Sequence, residues 1–233
     1  VAKIQGTAIV FFAEMMVRGE GLNLAVRFRN IYQLTASISV VALVVVVTTN
    51  QHFVSVWAGP SLAWSTRLSA LLATLVFFNT LTRCGADFIV YTKNIASFRY
   101  VYFTEATAFV IMAIWLSDKF GFYGILGASL SCLLLFRAVY IIKRMAEYFS
   151  LPAKTFYWTW LKRPILSVLL LIPFVLSANW IPSITSNQWS QLWLASFWIG
   201  PPSIIVFCVV ALPREIQGEI RLRLSKLSLC SKQ

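Results

Sequence analysis

Five residues carry most of the chemistry open to this chain, and each lies inside a long apolar run: Asn79, Arg83, Asp87, Glu105 and Arg137. Ionisable groups in that setting are costly and usually face a cavity or a partner. Asn79, Arg83 and Asp87 recur every four residues, so on a helix they form one polar stripe. A guanidinium offers a planar fork of N–H donors to phosphate or carboxylate, and intramembrane acids relay ions. Arg83, Arg137 and Asn79 are therefore candidate binders of an anionic ligand. Asp87 and Glu105 are candidates for ion coupling or for ion pairing. Two arrangements satisfy the pattern. One is a solvated transport cavity. The other is a buried network, with Arg83 paired to Asp87 on one helix and Glu105 to Arg137 across two; Arg137 can also snorkel to the interface.

Rise per residue places these groups in depth. Asp87, Glu105 and Arg137 each stand six residues from a flanking base, Lys93, Arg99 or Lys143. At ~1.5 Å per residue that puts all three roughly 9 Å inside the apolar layer. Arg83, ten residues from Lys93, falls about 15 Å deep, near the middle of a ~30 Å core. It is expected to be the deepest charge.

Enzyme chemistry is poorly supplied. The chain has eight acids and a single histidine, His52, in a polar gap. Gly127-Ala-Ser-Leu-Ser131 lacks the closing glycine of a nucleophile elbow. Cys84, Cys132 and Cys208 lie within apolar runs and Cys230 beyond them, with no CxxC or Cys/His spacing. The expectation is a non-enzyme with no metal and no cofactor.

The elements that must position the five residues follow from composition. Of 233 residues 59% are hydrophobic and 12% charged, with mean hydropathy +0.76, more apolar surface than one soluble core hides. A bilayer span needs about 20 mostly apolar residues. Six runs qualify: Ile31–Thr49, Thr66–Tyr91, Phe98–Leu116, Phe122–Ile142, Ile165–Ile181 and Leu192–Leu212. The expected fold is all-α, a polytopic transmembrane helical bundle of six spans plus the tail of a preceding helix. Residues 1–30 form that tail and a connector, 31–212 the bundle, and 213–233 a basic tail.

Fifteen of the twenty Lys and Arg residues fall in four gaps that alternate with ones whose only basic residues are Arg67 and Lys119. Positive loops stay inside, so both ends of the segment are expected in the cytoplasm of a cell inner-membrane protein. Basic loops beside anionic lipid headgroups account for the net charge of +12 without a nucleic-acid partner.

Local features carry structural expectations. Ala8–Ala13 reads as the end of a truncated helix, and Arg18–Asn30, with Leu22, Leu24, Val26 and Phe28 interleaved with polar residues, as an interfacial connector. Met145–Pro152 with Trp158, Trp160 and Lys162 suits an amphipathic segment on the membrane surface. Trp57, Trp64, Trp115, Trp180 and Trp189 read as an aromatic belt. Gly121, Gly124, Gly127, Ala128 and Ser131 predict close helix packing. Pro173 and Gly200-Pro-Pro202 predict kinks.

The order of features from Thr48 to Tyr148 resembles the C-terminal half of polysaccharide flippases of the multidrug/oligosaccharidyl-lipid/polysaccharide exporter superfamily. The matching stretches are Asn50-Gln-His-Phe-Val-Ser-Val-Trp-Ala-Gly59, Glu105-Ala106, Trp115-Leu-Ser-Asp-Lys-Phe-Gly-Phe-Tyr-Gly124 and Gly127-Ala-Ser129. Members of that family have two six-helix halves, so the resemblance implies that Val1–Gln233 is the second half and that its partner is the N-terminal half of the same transporter. It also implies alternating-access movement of a lipid-linked oligosaccharide, carried on a polyprenyl diphosphate, for surface polysaccharide or lipopolysaccharide biosynthesis. Glu105 falls at the family's acidic position; Arg83, Asp87 and Arg137 are supported by depth alone. Membrane lipids are the other expected partners. A cation-coupled multidrug exporter of the same superfamily and a non-transporting membrane subunit are the alternatives.

Overall fold

The computed structural model describes residues 11–16, 18, 21–59, 61, 64–92, 95–150, 152–178 and 187–211. The basic tail 213–233 with Cys230, and Trp180, lie outside the described residues. Helices account for nearly all of the rest, and there is no strand among the described residues. After a helical turn at 11–16 the elements are α1 (Gly21–Ala58), α2 (Thr66–Tyr91), α3 (Ala96–Phe120), α4 (Phe122–Tyr148), α5 (Ala153–Ser177) and α6 (Gln188–Val206, extended by a π-helical turn over Phe207–Ala211). Five stretches are long and apolar enough to cross a membrane: Leu24–Ala58, Thr66–Tyr91, Ala96–Phe120, Phe122–Tyr148 and Gln188–Val210. The remaining expected span, Ile165–Ile181, begins on α5 and ends outside the described residues. The chain is a multi-pass, all-α membrane protein.

α1 is the hub, packing against α2, α5 and α6. Its sequence explains why. Leu24, Phe28, Tyr32, Ala36, Val40, Val44 and Thr48 recur every four residues and are all buried, which is one face of a helix. That row begins inside the expected connector, so the helix starts at Gly21, about ten residues early. The alternation of Leu22, Leu24, Val26 and Phe28 had suggested an interfacial segment, but the four-residue row through Phe28 and Tyr32 wins because it has helices to pack on. Polar side chains on the hub are satisfied internally. Ser37, Ser39 and Thr48 donate to the carbonyls of Gln33, Thr35 and Val44 at 2.7, 2.8 and 2.9 Å, as a span without water requires.

At the end of the bundle that carries Lys143 and Arg144, an aromatic cluster ties four pieces together. Phe12 from the first turn, Phe28 of α1, Phe88 of α2 and Phe149 after α4 surround one another with ring centroids 4.5–6.4 Å apart. Of the expected amphipathic segment Met145–Pro152, Met145–Tyr148 form the end of α4 and Phe149 and Ser150 a turn, Leu151 lies outside the described residues, and helix resumes at Ala153 as α5. At the opposite end Trp57, Trp115 and Trp189 are exposed, as a belt requires, with Lys119 Nζ 4.3 Å over the Trp115 ring. Pro173, Pro201 and Pro202 do not end their helices.

α3 and α4 form a hairpin joined by Gly121 alone, whose φ of 56° is the left-handed region that glycine tolerates. Gly124 then lies so close that a Cβ there would overlap the Leu116 backbone carbonyl of α3, and Ala128 is fully buried. Gly127 faces open space, so the small residues do not act alike. Gly124→Leu should therefore lower stability by about 1–3 kcal/mol or more through overpacking, while Gly127→Leu leaves it near wild type. Thermal unfolding in detergent compares the two, and equal melting temperatures would contradict the close approach at Gly124.

Candidate functional site

The centre of the site is Arg137, held on three sides. Its Nε donates to Glu105 Oε2 at 2.9 Å and its Nη2 to Glu105 Oε1 at 2.7 Å, the paired fork that guanidinium and carboxylate favour. Nη1 donates to Asn79 Oδ1 at 3.0 Å. The Tyr102 ring lies under the guanidinium, 4.5 Å from centroid to Cζ. α2, α3 and α4 each contribute, so one side chain bolts three helices together. The side chains of Arg137 and Glu105 are 18% and 10% exposed, and the charges answer each other out of water.

A local irregularity aims Arg137. The buried row on α4 runs Gly124, Ala128, Cys132 and then resumes at Leu133, with Ile141 and Met145 following on the same four-residue spacing as Arg137. The row slips by one residue between Cys132 and Leu133. A π-helical turn over Leu133–Ala138 takes up that extra residue. Without it the second half of α4 would turn by about 100°, carrying Arg137 off Glu105.

Arg83 and Asp87 are placed differently. Arg83 Nε stands 4.0 Å from Asp87 Oδ2, at the limit of an ion pair, and the side chains are 65% and 36% exposed. Asn79, Arg83 and Asp87 do share one face of α2, as their spacing predicts. The pairs themselves, Arg83 with Asp87 and Glu105 with Arg137, are those of the buried-network arrangement, one of the two that satisfy the pattern. The levels are not those expected. Gly85 abuts Ile141, and Arg137, one turn earlier on α4, reaches Asn79. Arg137 and Glu105 thus lie level with Asn79, near the midpoint of α2, rather than with Asp87, and Arg83 is not the deepest charge. α4 continues five residues past Lys143 to Tyr148, beside Phe88, so Lys143 does not mark the end of that helix; Lys93 lies outside the described residues.

Tyr102 went unnoticed in the sequence. It stands three residues before Glu105 on α3, so it shares that face, but nothing in its type marks it among eight tyrosines. His52, expected in a polar gap, lies part-buried on α1 with Nδ1 3.2 Å from Gln191 Oε1 on α6. Cys84, Cys132 and Cys208 form no disulfide among the described residues. No protein-family model, curated protein or solved structure matches the chain.

Breaking one side of a buried pair leaves the other charge unanswered. Glu105→Gln and Arg137→Gln should each cost about 3 kcal/mol, and the double variant should cost clearly less than their sum. A double-mutant cycle on unfolding in detergent measures this. Simple additivity would mean that the fork contributes nothing to holding α3 on α4.

Proposed function

We propose that this chain forms one six-helix half of a transporter that flips a lipid-linked oligosaccharide, carried on a polyprenyl diphosphate, across the cell inner membrane by alternating access. The observation that carries the reading is the contrast between the two arginines. Arg137 spends its donors on Glu105 and Asn79, while Arg83, inside the same apolar layer, is largely exposed with one distant partner. A half-paired guanidinium is tolerated there only in a water-filled cleft or against another protein surface. A second half closing over the α2 stripe would create such a cleft. A diphosphate crossing it gains the fork of donors that Arg83 leaves free.

In this reading the fork at Arg137 is the structural floor of the cleft, and Glu105, answered by Arg137, is the acid whose loading with a proton or ion would release it. The basic ends of the helices face the cytoplasm, following the charge bias of the loops. Cargo class and surface-polysaccharide output rest on the resemblance described above. The same geometry in a scaffold without transport would use Arg83 only to neutralise Asp87.

Two experiments separate these. Labelling of Ser61→Cys by an impermeant thiol reagent added outside whole cells checks orientation, and protection there would reverse the topology. Arg83→Gln should reduce polysaccharide export about tenfold or more with the protein still folded and inserted, because charged hydrogen bonds contribute ~1.5–3 kcal/mol. Arg83→Lys should keep partial activity as a point charge. If Arg83→Gln with Asp87→Asn instead restores export, Arg83 only neutralises Asp87 and the binding role is rejected.

A further inference from the structure

The ends of α2 and α4 beside the aromatic cluster enclose a cleft of about 230 Å³ that the transport reading does not use. Its floor is apolar, with Phe88, Ile89 and Met145 all buried. Its rim is charged and net neutral. Arg144 and Glu147 stand one turn apart on α4, and Arg144 Nη1 donates to Glu147 Oε2 at 2.9 Å. From the α2 side Thr92 reaches the rim; its hydroxyl donates to the Ile89 carbonyl at 2.7 Å and keeps its acceptor capacity. The cleft lies where two apolar helices end, the level at which headgroups meet a membrane protein.

We infer that this cleft binds the headgroup of a zwitterionic phospholipid with a primary ammonium, that is, a phosphoethanolamine lipid. The phosphate sits at the Arg144 guanidinium, which has five donors and gives one to Glu147. The ammonium sits between the Glu147 carboxylate and the Thr92 hydroxyl oxygen. The glycerol and first methylenes cover Phe88, Ile89 and Met145. Charge selects the class. A headgroup that is only anionic brings negative charge beside Glu147 and offers that carboxylate no charged donor, hydroxyls at most. A trimethylammonium group has no N–H to give it. Only a headgroup with both a phosphate and a primary ammonium answers both rim charges with charged hydrogen bonds. The inference is independent of the cargo carried along the α2 stripe.

The test uses the full chain in detergent and native mass spectrometry with phosphatidylethanolamine, phosphatidylcholine and phosphatidylglycerol of equal chain length. Phosphatidylethanolamine should bind about tenfold tighter than the other two, the scale of one charged hydrogen bond. Glu147→Gln should remove that preference and raise phosphatidylglycerol binding, whereas Arg144→Gln should weaken all three. A purely structural pair would not move lipid preference, and both side chains lie at the rim, so folding is retained. Equal binding of the three lipids, or a preference unchanged in both variants, overturns the site. Displacement of the lipid by soluble glycerophosphoethanolamine at matching concentration overturns its assignment to a membrane lipid.

Discussion

An arginine largely covered among apolar helices cannot stay unanswered, and the way Arg137 is answered organises half of this bundle. α3 packs chiefly against α4 and is exposed over most of its surface, with Phe98 and Glu105 as its buried residues. Association of helices in lipid gains little from the hydrophobic effect and relies on close packing and polar contacts. The contacts of α3 include the near approach at Gly124, the Phe98 ring beside Tyr140, Met112 Sδ 3.6 Å from Cys132 Sγ, the Tyr102 ring under Arg137 and the Glu105 fork. The fork also ties α3 to α2, since Arg137 donates to Asn79 as well.

The other half of the bundle is held by different means. α1 supplies a seven-residue buried row, and Val40 and Val44 meet Leu171 of α5 and Ile199 of α6 in an apolar cluster. Its hydroxyls turn back on their own helix. Two packing strategies thus meet along α2, whose one side fits α1 and whose other side carries Asn79, Arg83 and Asp87. The fixed pair at Arg137 and the loose pair at Arg83 are within three turns of each other, and that contrast separates scaffold from candidate binding surface.

Most of the helical plan was legible in the sequence, because uninterrupted apolar runs and alternating basic gaps have few other physical readings. The stripe on α2 and both ion pairs were legible too, since spacing alone puts Asn79, Arg83 and Asp87 on one face. Heights were not. A boundary marked by the first Lys or Arg assumes that every helix ends at the same plane, and α4 runs past Lys143 to Tyr148. The start of α1 was missed because Leu22 to Phe28 fits two periods at once, and only its neighbours choose between them. The π-helical turn had a signal, a one-residue slip in the four-residue row of α4, visible once buried positions are known.

Arg83 can meet a polar cargo only if the α2 stripe faces water inside the membrane. In membranes carrying a background in which Cys84, Cys132, Cys208 and Cys230 are replaced, Arg83→Cys and Ile111→Cys can be compared for reaction with a small water-soluble thiosulfonate. Ile111 is exposed on the outer face of α3, where lipid would shield it. Arg83→Cys should react readily and Ile111→Cys should not. Equal protection of both positions would contradict an aqueous cleft along α2.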